Sequence, residues 1–381
     1  MAIDTSTDPR RLEWVINDDV VRFRQWASDR AFYFPAPQGG DGSNWLIGTV
    51  EGCAVRLEDP RISRHHARLL RDQDRWSLLD LASKNGTRVD GVRQHTARLE
   101  PGMEIGIGGI TLIAESARSI DLRCFLSRIL GWSAERYEAV DLALREIRLA
   151  QVRRHPLVLR GEGDLVPVAA DLHHHVFGAS APFVVCDPHR RSGASVRAPW
   201  NVEDGRAALV AAAGGTLCFR NERPPRDLPE LLHQMQATTG ARVQLLVCDD
   251  GSREAALPAE LLAGMPIEIP SLSTRGADQV AHIVFEYASD AVQQLRAAKA
   301  MTPEDRAWVI ANATTSLEEI AKATRRIVAL RREGSLSGAA ALLGMAPVSL
   351  RRWFRRRKSL PEDLRADDAA EIAAESPELD A

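Results

Sequence analysis

Between residues 30 and 115 the apolar residues come in short runs, WLIG, AVRL, ARLL, WSLLDL and ITLIAE, cut off by GG, DG, NG and PG pairs. Runs of this length suit strands rather than helices, and the glycine pairs form turns. Many short strands spaced by tight turns predict a sandwich or barrel. Past residue 119 the texture changes. Helical stretches such as 133–152 and 227–238 lie between buried-strand runs, PLVLRG, PFVVCD, GGTLCF and VQLLVCD. Strands alternating with helices predict a parallel sheet with helices on both faces. Residues 317–358 read as wholly helical and 361–381 as an acidic, disordered tail. The polar stretch SARSI at 116–120 reads as a linker. Trp14, Phe23 and Trp26 predict that part of the extension 1–29 packs on the first domain.

A chain of 381 residues leaves room for two to four domains. No apolar run approaches the roughly 20 residues of a spanning helix. The N-terminal residues carry no secretory signal, and the five cysteines, at 53, 124, 186, 218 and 248, contain no CxxC pair. The expected setting is therefore a reducing cytoplasm, without disulfides, a zinc site or a cofactor. The net charge of −3 conceals two asymmetries. Only four of the 49 basic residues are lysine (Lys84, Lys299, Lys322 and Lys358), so none lies between 85 and 298. Residues 325–358 hold nine Arg and one Lys against Glu333 alone, whereas 362–380 hold eight acids against Arg365. A basic block before an acidic stretch points to nucleic acid as a partner of the block.

Gly48, the run Ser63-Arg64-His65-His66 and the run Asn85-Gly86-Thr87 fall in the order and spacing of a forkhead-associated (FHA) domain, which residues 30–116 resemble. The resemblance implies a β-sandwich that binds phosphothreonine peptides through loops at one end. A phosphothreonine carries nearly two charges and three acceptor oxygens, so its capture needs charge-assisted donors on preorganised loops. By the resemblance, Ser63, Arg64 and Lys84 meet the phosphate and Asn85 the peptide backbone, while Gly48, His66 and Gly86 shape the loops. One residue departs from the pattern: Thr49 stands where the family usually has a phosphate-binding arginine. Losing such a charged donor weakens binding by about 1.5–3 kcal/mol. A sandwich that serves only as a protein contact is the other reading of this block.

Residues 121–316 resemble, in strand order and flanks, the AAA+ domain of sigma-54-dependent transcription activators, with every catalytic part altered. Gly161 and Gly163 survive from a phosphate loop, but Asp164 follows and no lysine does. Arg220 and Asn221 replace the two Walker B acids, and a cation there cannot hold Mg²⁺. Glu318 stands where the family has its sensor arginine, and the sigma-contact loop is absent. The expectation is a degenerate α/β domain without ATPase activity. His173, His174 and His175 are consecutive, so on a helix they diverge by about 100° each and do not converge on one metal.

Residues 336–357 fit a helix-turn-helix. Ala340 is small where two helices touch, Gly344 takes the turn, and Leu343, Met345, Leu350 and Trp353 point inward. Ser337 is the expected cap of the second helix, and Pro347 opens the third. Ser349, Arg351, Arg352, Arg355 and Arg356 would face DNA. The unit 317–360 resembles the Fis-type module of the same activators, whose first helix, 317–333, would be a dimer contact. The order of the parts implies a multidomain, non-catalytic bacterial transcription regulator. Its expected partners are duplex DNA, a phosphothreonine protein in a Ser/Thr kinase pathway, and at least one further copy of itself, without a membrane. The alternative is a scaffold, or an inactive subunit in assemblies of active sigma-54 activators.

Overall fold

The structure is a computed structural model. It describes residues 18–34, 45–72, 75–195, 198–237, 243–251, 261, 263–298 and 301–357. Trp14 and the acidic stretch 361–381 lie outside the described residues.

Eleven short strands form the first unit: β1 (Val20–Gln25), β2 (Ala31–Tyr33), β3 (Trp45–Gly48), β4 (Val55–Arg56), β5 (Ala67–Asp72), β6 (Arg75–Asp80), β7 (Thr87–Val89), β8 (Val92–Gln94), β9 (Thr96–Arg98), β10 (Glu104–Ile107) and β11 (Ile110–Ser116). They make two sheets, β2-β1-β11-β10-β7-β8 and β4-β3-β5-β6-β9. Phe23, Ile47, Leu57, Leu69, Trp76, Leu78, Ile105 and Leu112 fill the space between them. The alternation of β6 turns Trp76, Leu78 and Asp80 inward. The sandwich starts before residue 30, because β1 pairs antiparallel with β11 and its Phe23 is fully buried.

The expected linker at 116–120 does not exist. β11 runs straight into α1 (Ala117–Leu130), and Ser116 and Ser119 cap that helix reciprocally while both are buried. Small hydroxyl residues in a row serve a helix start as well as a linker, and here the cap wins.

After α1 and α2 (Tyr137–Arg153) comes a seven-stranded sheet built from β12 (Leu157–Arg160), β13 (Phe183–Cys186), β14 (Gly193–Ser195), β15 (Ala198–Val202), β16 (Thr216–Arg220), β17 (Gln244–Asp249) and β18 (Ile267–Glu268). Its order is β14-β15-β13-β16-β17-β12-β18, parallel throughout except for the β14–β15 pair. Alternate residues face opposite sides. Leu157, Leu159, Leu246 and Cys248 join one core, whereas Val158, Leu245, Val247 and Phe219 join the other. The first core also takes in α1, α2 and α3 (Val166–Phe177). The second is covered by α4 (Gly205–Ala211) and α5 (Leu228–Ala237).

Five helices complete the described chain: α6 (Ala277–Gln294), α7 (Pro303–Asn312), α8 (Leu317–Glu333), α9 (Leu336–Leu342) and α10 (Pro347–Arg355). They share the first core rather than forming an isolated module. Trp308 of α7 lies 6.0 Å from both Trp353 and Phe354 of α10, and Asp305 of α7 accepts from Arg331 of α8 at 2.8 Å. The apolar stripe of α8, Ile320, Ala323, Ile327, Val328 and Leu330, is buried within the chain. A dimer contact through this helix therefore has only its polar side to use.

Candidate functional site

Three loops of the sandwich meet through short bonds. Asp80, at the inward end of β6, accepts from the hydroxyls of Ser83 and Thr87 at 2.7 Å each. This anchors both ends of the loop that carries Lys84, Asn85 and Gly86. The Lys84 amide then donates to Ser63 Oγ at 3.1 Å, and Asn85 Nδ2 donates to the Arg61 carbonyl at 2.6 Å. His66 is fully buried and its Nδ1 accepts from the Ser63 amide at 3.2 Å. Burial pushes the His66 imidazole below its ordinary pKa. The ring is thus neutral with its proton on Nε2, 3.8 Å from Asp80. Burial alone would raise the Asp80 carboxyl, but the hydrogen bonds from Thr87 and Ser83 hold it below the usual range.

The two glycines have distinct causes. A Cβ on Gly48 would sit 2.0 Å from the Arg64 carbonyl oxygen, so close backbone approach demands glycine. The neighbouring Thr49 amide donates to that same carbonyl at 3.1 Å. Gly86 has φ +73°, and a Cβ there would also strike the Arg93 guanidinium at 2.3 Å. The arrangement leaves Arg64, Lys84 and Asn85 exposed on one connected rim. Among the described residues the guanidinium of Arg64 and the ammonium of Lys84 have no acidic partner, so both remain available to an anion. Sequence reasoning missed Asp80, Arg61 and Arg93. The signal for Asp80 was a carboxylate at a core-facing position of an alternating strand.

At the carboxyl ends of the parallel strands a second group assembles. Arg220 of β16 binds Asp164 at 2.9 and 3.1 Å and stands 3.5 Å from Asp187, which is 1% exposed. Asn221 donates to Asp249 at 3.2 Å, and Asp249 also accepts from Arg160 at 2.8 Å. Burial opposes the charge of Arg220, yet the Asp164 hydrogen bond and the nearby carboxylates raise its pKa. Asp249 is held low by Arg160 and Asn221, which outweigh its burial. The side chains at these strand ends thus pair among themselves, Arg220 with Asp164 and both Asn221 and Arg160 with Asp249. Gly161 has a packing cause, since a Cβ would meet the Ile269 carbonyl at 2.8 Å. Gly163 has φ +84° with open space around it. Glu318 pairs with Lys322 one turn along its own helix. The three histidines diverge: His173 bonds Thr216 at 2.8 Å, and His175 bonds Asp121 at 2.7 Å. No group of three metal-ligating side chains occurs among the described residues.

In the C-terminal helices, Ala340 is fully buried and Gly344 has φ +63° at the turn between α9 and α10. Leu350 is buried, while Leu343, Met345 and Trp353 pack half-buried against the core. The cap of α9 is Ser335, not Ser337: its hydroxyl accepts from the Gly338 amide at 3.1 Å. Arg352, Arg355 and Arg356 are exposed, whereas Ser349 and Arg351 are half-buried. Ser349 and Arg351 are therefore less open to solvent than the three arginines. Arg357 stacks on Trp353 at 4.0 Å and pairs with Glu319, which fixes the end of α10. No helix among the described residues is long and apolar enough to cross a membrane.

Comparison with known proteins addresses the sandwich. Residues 45–108 match the FHA domain family. The chain is 33% identical over 79 residues, 19% of its length, to the oxoglutarate dehydrogenase inhibitor of Corynebacterium jeikeium (strain K411). It spans about half, 55%, of that protein's length. Among solved structures it is similar to the FHA domain of the CT664 protein from Chlamydia trachomatis, with 25% identity and a TM-score of 0.21, covering 24% of this chain and 94% of that one. It is also similar to EmbR of Mycobacterium tuberculosis in complex with a low-affinity phosphopeptide, with 24% identity and a TM-score of 0.22, covering 25% of this chain and 24% of that one. The family match and the loop geometry together show that this protein contains an FHA domain, a phosphothreonine-peptide-binding module set within a longer chain.

Proposed function

We propose that this protein is a non-catalytic transcription regulator that receives a phosphothreonine signal on its FHA domain and binds duplex DNA through α8–α10. The observation that carries the DNA reading is the exposed triplet Arg352, Arg355 and Arg356 on one helix, behind a tight turn at Gly344. Residues three and four apart share a helix face, so the three guanidinium groups present one cationic surface to a phosphate backbone. Residues 347–349 at the start of α10 are the ones placed to meet base edges. The signal enters at Ser63, Arg64 and Lys84, whose donors converge on a phosphate, with Asn85 holding the peptide chain. A threonine phosphorylated by a Ser/Thr kinase is the ligand, and Thr49 makes that pocket one cation poorer than its relatives.

The central unit acts as a body rather than an engine. In order along the sheet, the first parallel strand, β12, lies between β17 and β18. Ligands of such sheets bind beyond the carboxyl ends of the strands. Here that crevice is closed by the Arg220–Asp164 and Arg160–Asp249 pairs. This supports a degenerate AAA+-like domain kept for packing and transmission. A palindromic DNA site would need two copies of the chain.

The test is a salt series of full-length protein on duplex DNA. Each phosphate contact contributes about 0.9 to the slope of log affinity against log salt. Arg352→Gln/Arg355→Gln/Arg356→Gln is expected to lower that slope by about 2 to 3. Equal slopes, or no duplex binding by the wild type, would favour a scaffold or inactive-subunit role instead.

A further inference from the structure

The arginine face of α10 has an obvious counterpart within the same chain. Arg352, Arg355 and Arg356 are exposed and have no acidic partner among the described residues. Arg325 of α8 is exposed on the same terms. The chain leaves α10 at Arg357, and five residues later an acidic segment begins: Glu362, Asp363, Asp367, Asp368, Glu371, Glu375, Glu378 and Asp380, with Arg365 as its single cation. Reach is sufficient. A nine-residue helix such as α10 is about 14 Å long at 1.5 Å per residue. The six residues from Arg356 to Glu362 extend to about 20 Å. The acids of this segment can therefore turn back and lie along the whole arginine face. A tether of this length would give them an effective concentration in the millimolar range at that face.

We propose that the acidic segment 361–381 docks on the Arg352–Arg355–Arg356 face of α10 and competes there with polyanions. The contact is electrostatic, so it weakens as salt is raised. Through the competition, though not through the contact itself, the inference rests on the DNA reading above. It adds a consequence for that reading: the segment screens the weak, sequence-independent attraction of the arginines and leaves base contacts to decide where the protein stays.

Two readouts on full-length protein separate the contact from its consequence. The first uses no nucleic acid. Amide resonances of residues 361–381 are compared between the wild type and Arg352→Gln/Arg355→Gln/Arg356→Gln at low salt. The docked segment is expected to shift in the variant, and to shift likewise in the wild type at high salt. Identical segment spectra in both proteins at low salt would overturn the proposal. The second readout is affinity for a random-sequence duplex. Replacing the eight acids by Asn or Gln is expected to raise it by about tenfold at low salt, with the gain shrinking as salt rises. Unchanged duplex affinity alongside a docked segment would overturn the competition. Failure of every variant to bind DNA would instead remove the nucleic-acid reading and leave the resonance comparison to judge the contact.

Discussion

Arg64 and Arg24 show how differently two arginines of one domain are used. Arg64 has its backbone carbonyl taken by the Thr49 amide while its guanidinium stays exposed, which is the condition of a residue waiting for an anion. Replacing it by alanine should weaken binding of a phosphothreonine peptide by about 1.5–3 kcal/mol, with no effect on the unphosphorylated peptide, as measured by titration calorimetry. Thr49→Arg should move affinity the other way by a similar amount, because the residue abuts Arg64 and restores the missing donor. His66 supplies a pH prediction. Its folded pKa lies below the ordinary value, so the unfolded chain takes up the proton first as pH falls. Its contribution is thus complete above about pH 6.5 and is lost as pH drops through the lower folded value. In urea titrations the gap between wild type and His66→Asn should narrow from pH 7.5 to pH 5. A gap that widens on acidification would contradict a neutral, buried imidazole. The meeting of the loops that carry Ser63, Arg64, Lys84 and Asn85 is legible in the sequence because motif spacing follows local loop geometry. Arg24 is not. It is 1% exposed and binds Glu115 and Asp141, the latter 117 positions away, and no local pattern announces such a pair.

Among the elements, β12, β13, β16 and β17 are legible because a strand buried on both faces is a continuous apolar run. The α1 start is misread because Ser116 and Ser119 look like linker residues until their reciprocal cap is seen. At the strand ends, Arg220 and Asn221 are taken up by carboxylates of the same chain. Arg220 occupies the crevice and is 13% exposed while holding Asp164 and Asp187. Arg220→Ala should lower stability by about 1–3 kcal/mol, since it leaves the half-exposed Asp164 in solvent and the buried Asp187 with Arg223 alone, at 3.6 Å. Saturating Mg²⁺·ATP should leave the thermal midpoint of the wild type unchanged, because ligand binding would raise it. A rise of several degrees would show that the ion pairs open to admit a nucleotide. In the turn before α10, Gly344→Val should cost about 1–2 kcal/mol, as a β-branched residue at φ +63° is strained.

At the scale of the whole molecule, the parts are not beads on a string. Arg24 ties β1 to α2, Arg145 of α2 pairs with Glu104 and stacks on Trp26 at 4.0 Å, and Arg148 pairs with Asp90 at 2.8 Å. Asp90 closes the β7–β8 hairpin, whose first strand follows directly from the Asn85-Gly86 loop. The sandwich is thereby fixed to the helical body at the Asp90–Glu104 end of β7 and β10, the end away from the Asn85-Gly86 loop. Asp141 is itself buried, so Asp141→Ala should destabilise by about 3–5 kcal/mol by leaving Arg24 without its bidentate partner. Loss of phosphopeptide binding and loss of helical signal should then occur in one thermal transition, at a lower temperature than in the wild type. Two separate transitions in the wild type would contradict a fused body. The C-terminal helices extend the same core through Trp308, Trp353 and Phe354. The most direct test of the account is chromatin pull-down with sequencing, comparing wild type with Arg352→Ala/Arg355→Ala/Arg356→Ala. A shared palindromic motif enriched by the wild type and lost in the variant is the predicted result. Enrichment no greater than background for both proteins would contradict a DNA-binding regulator.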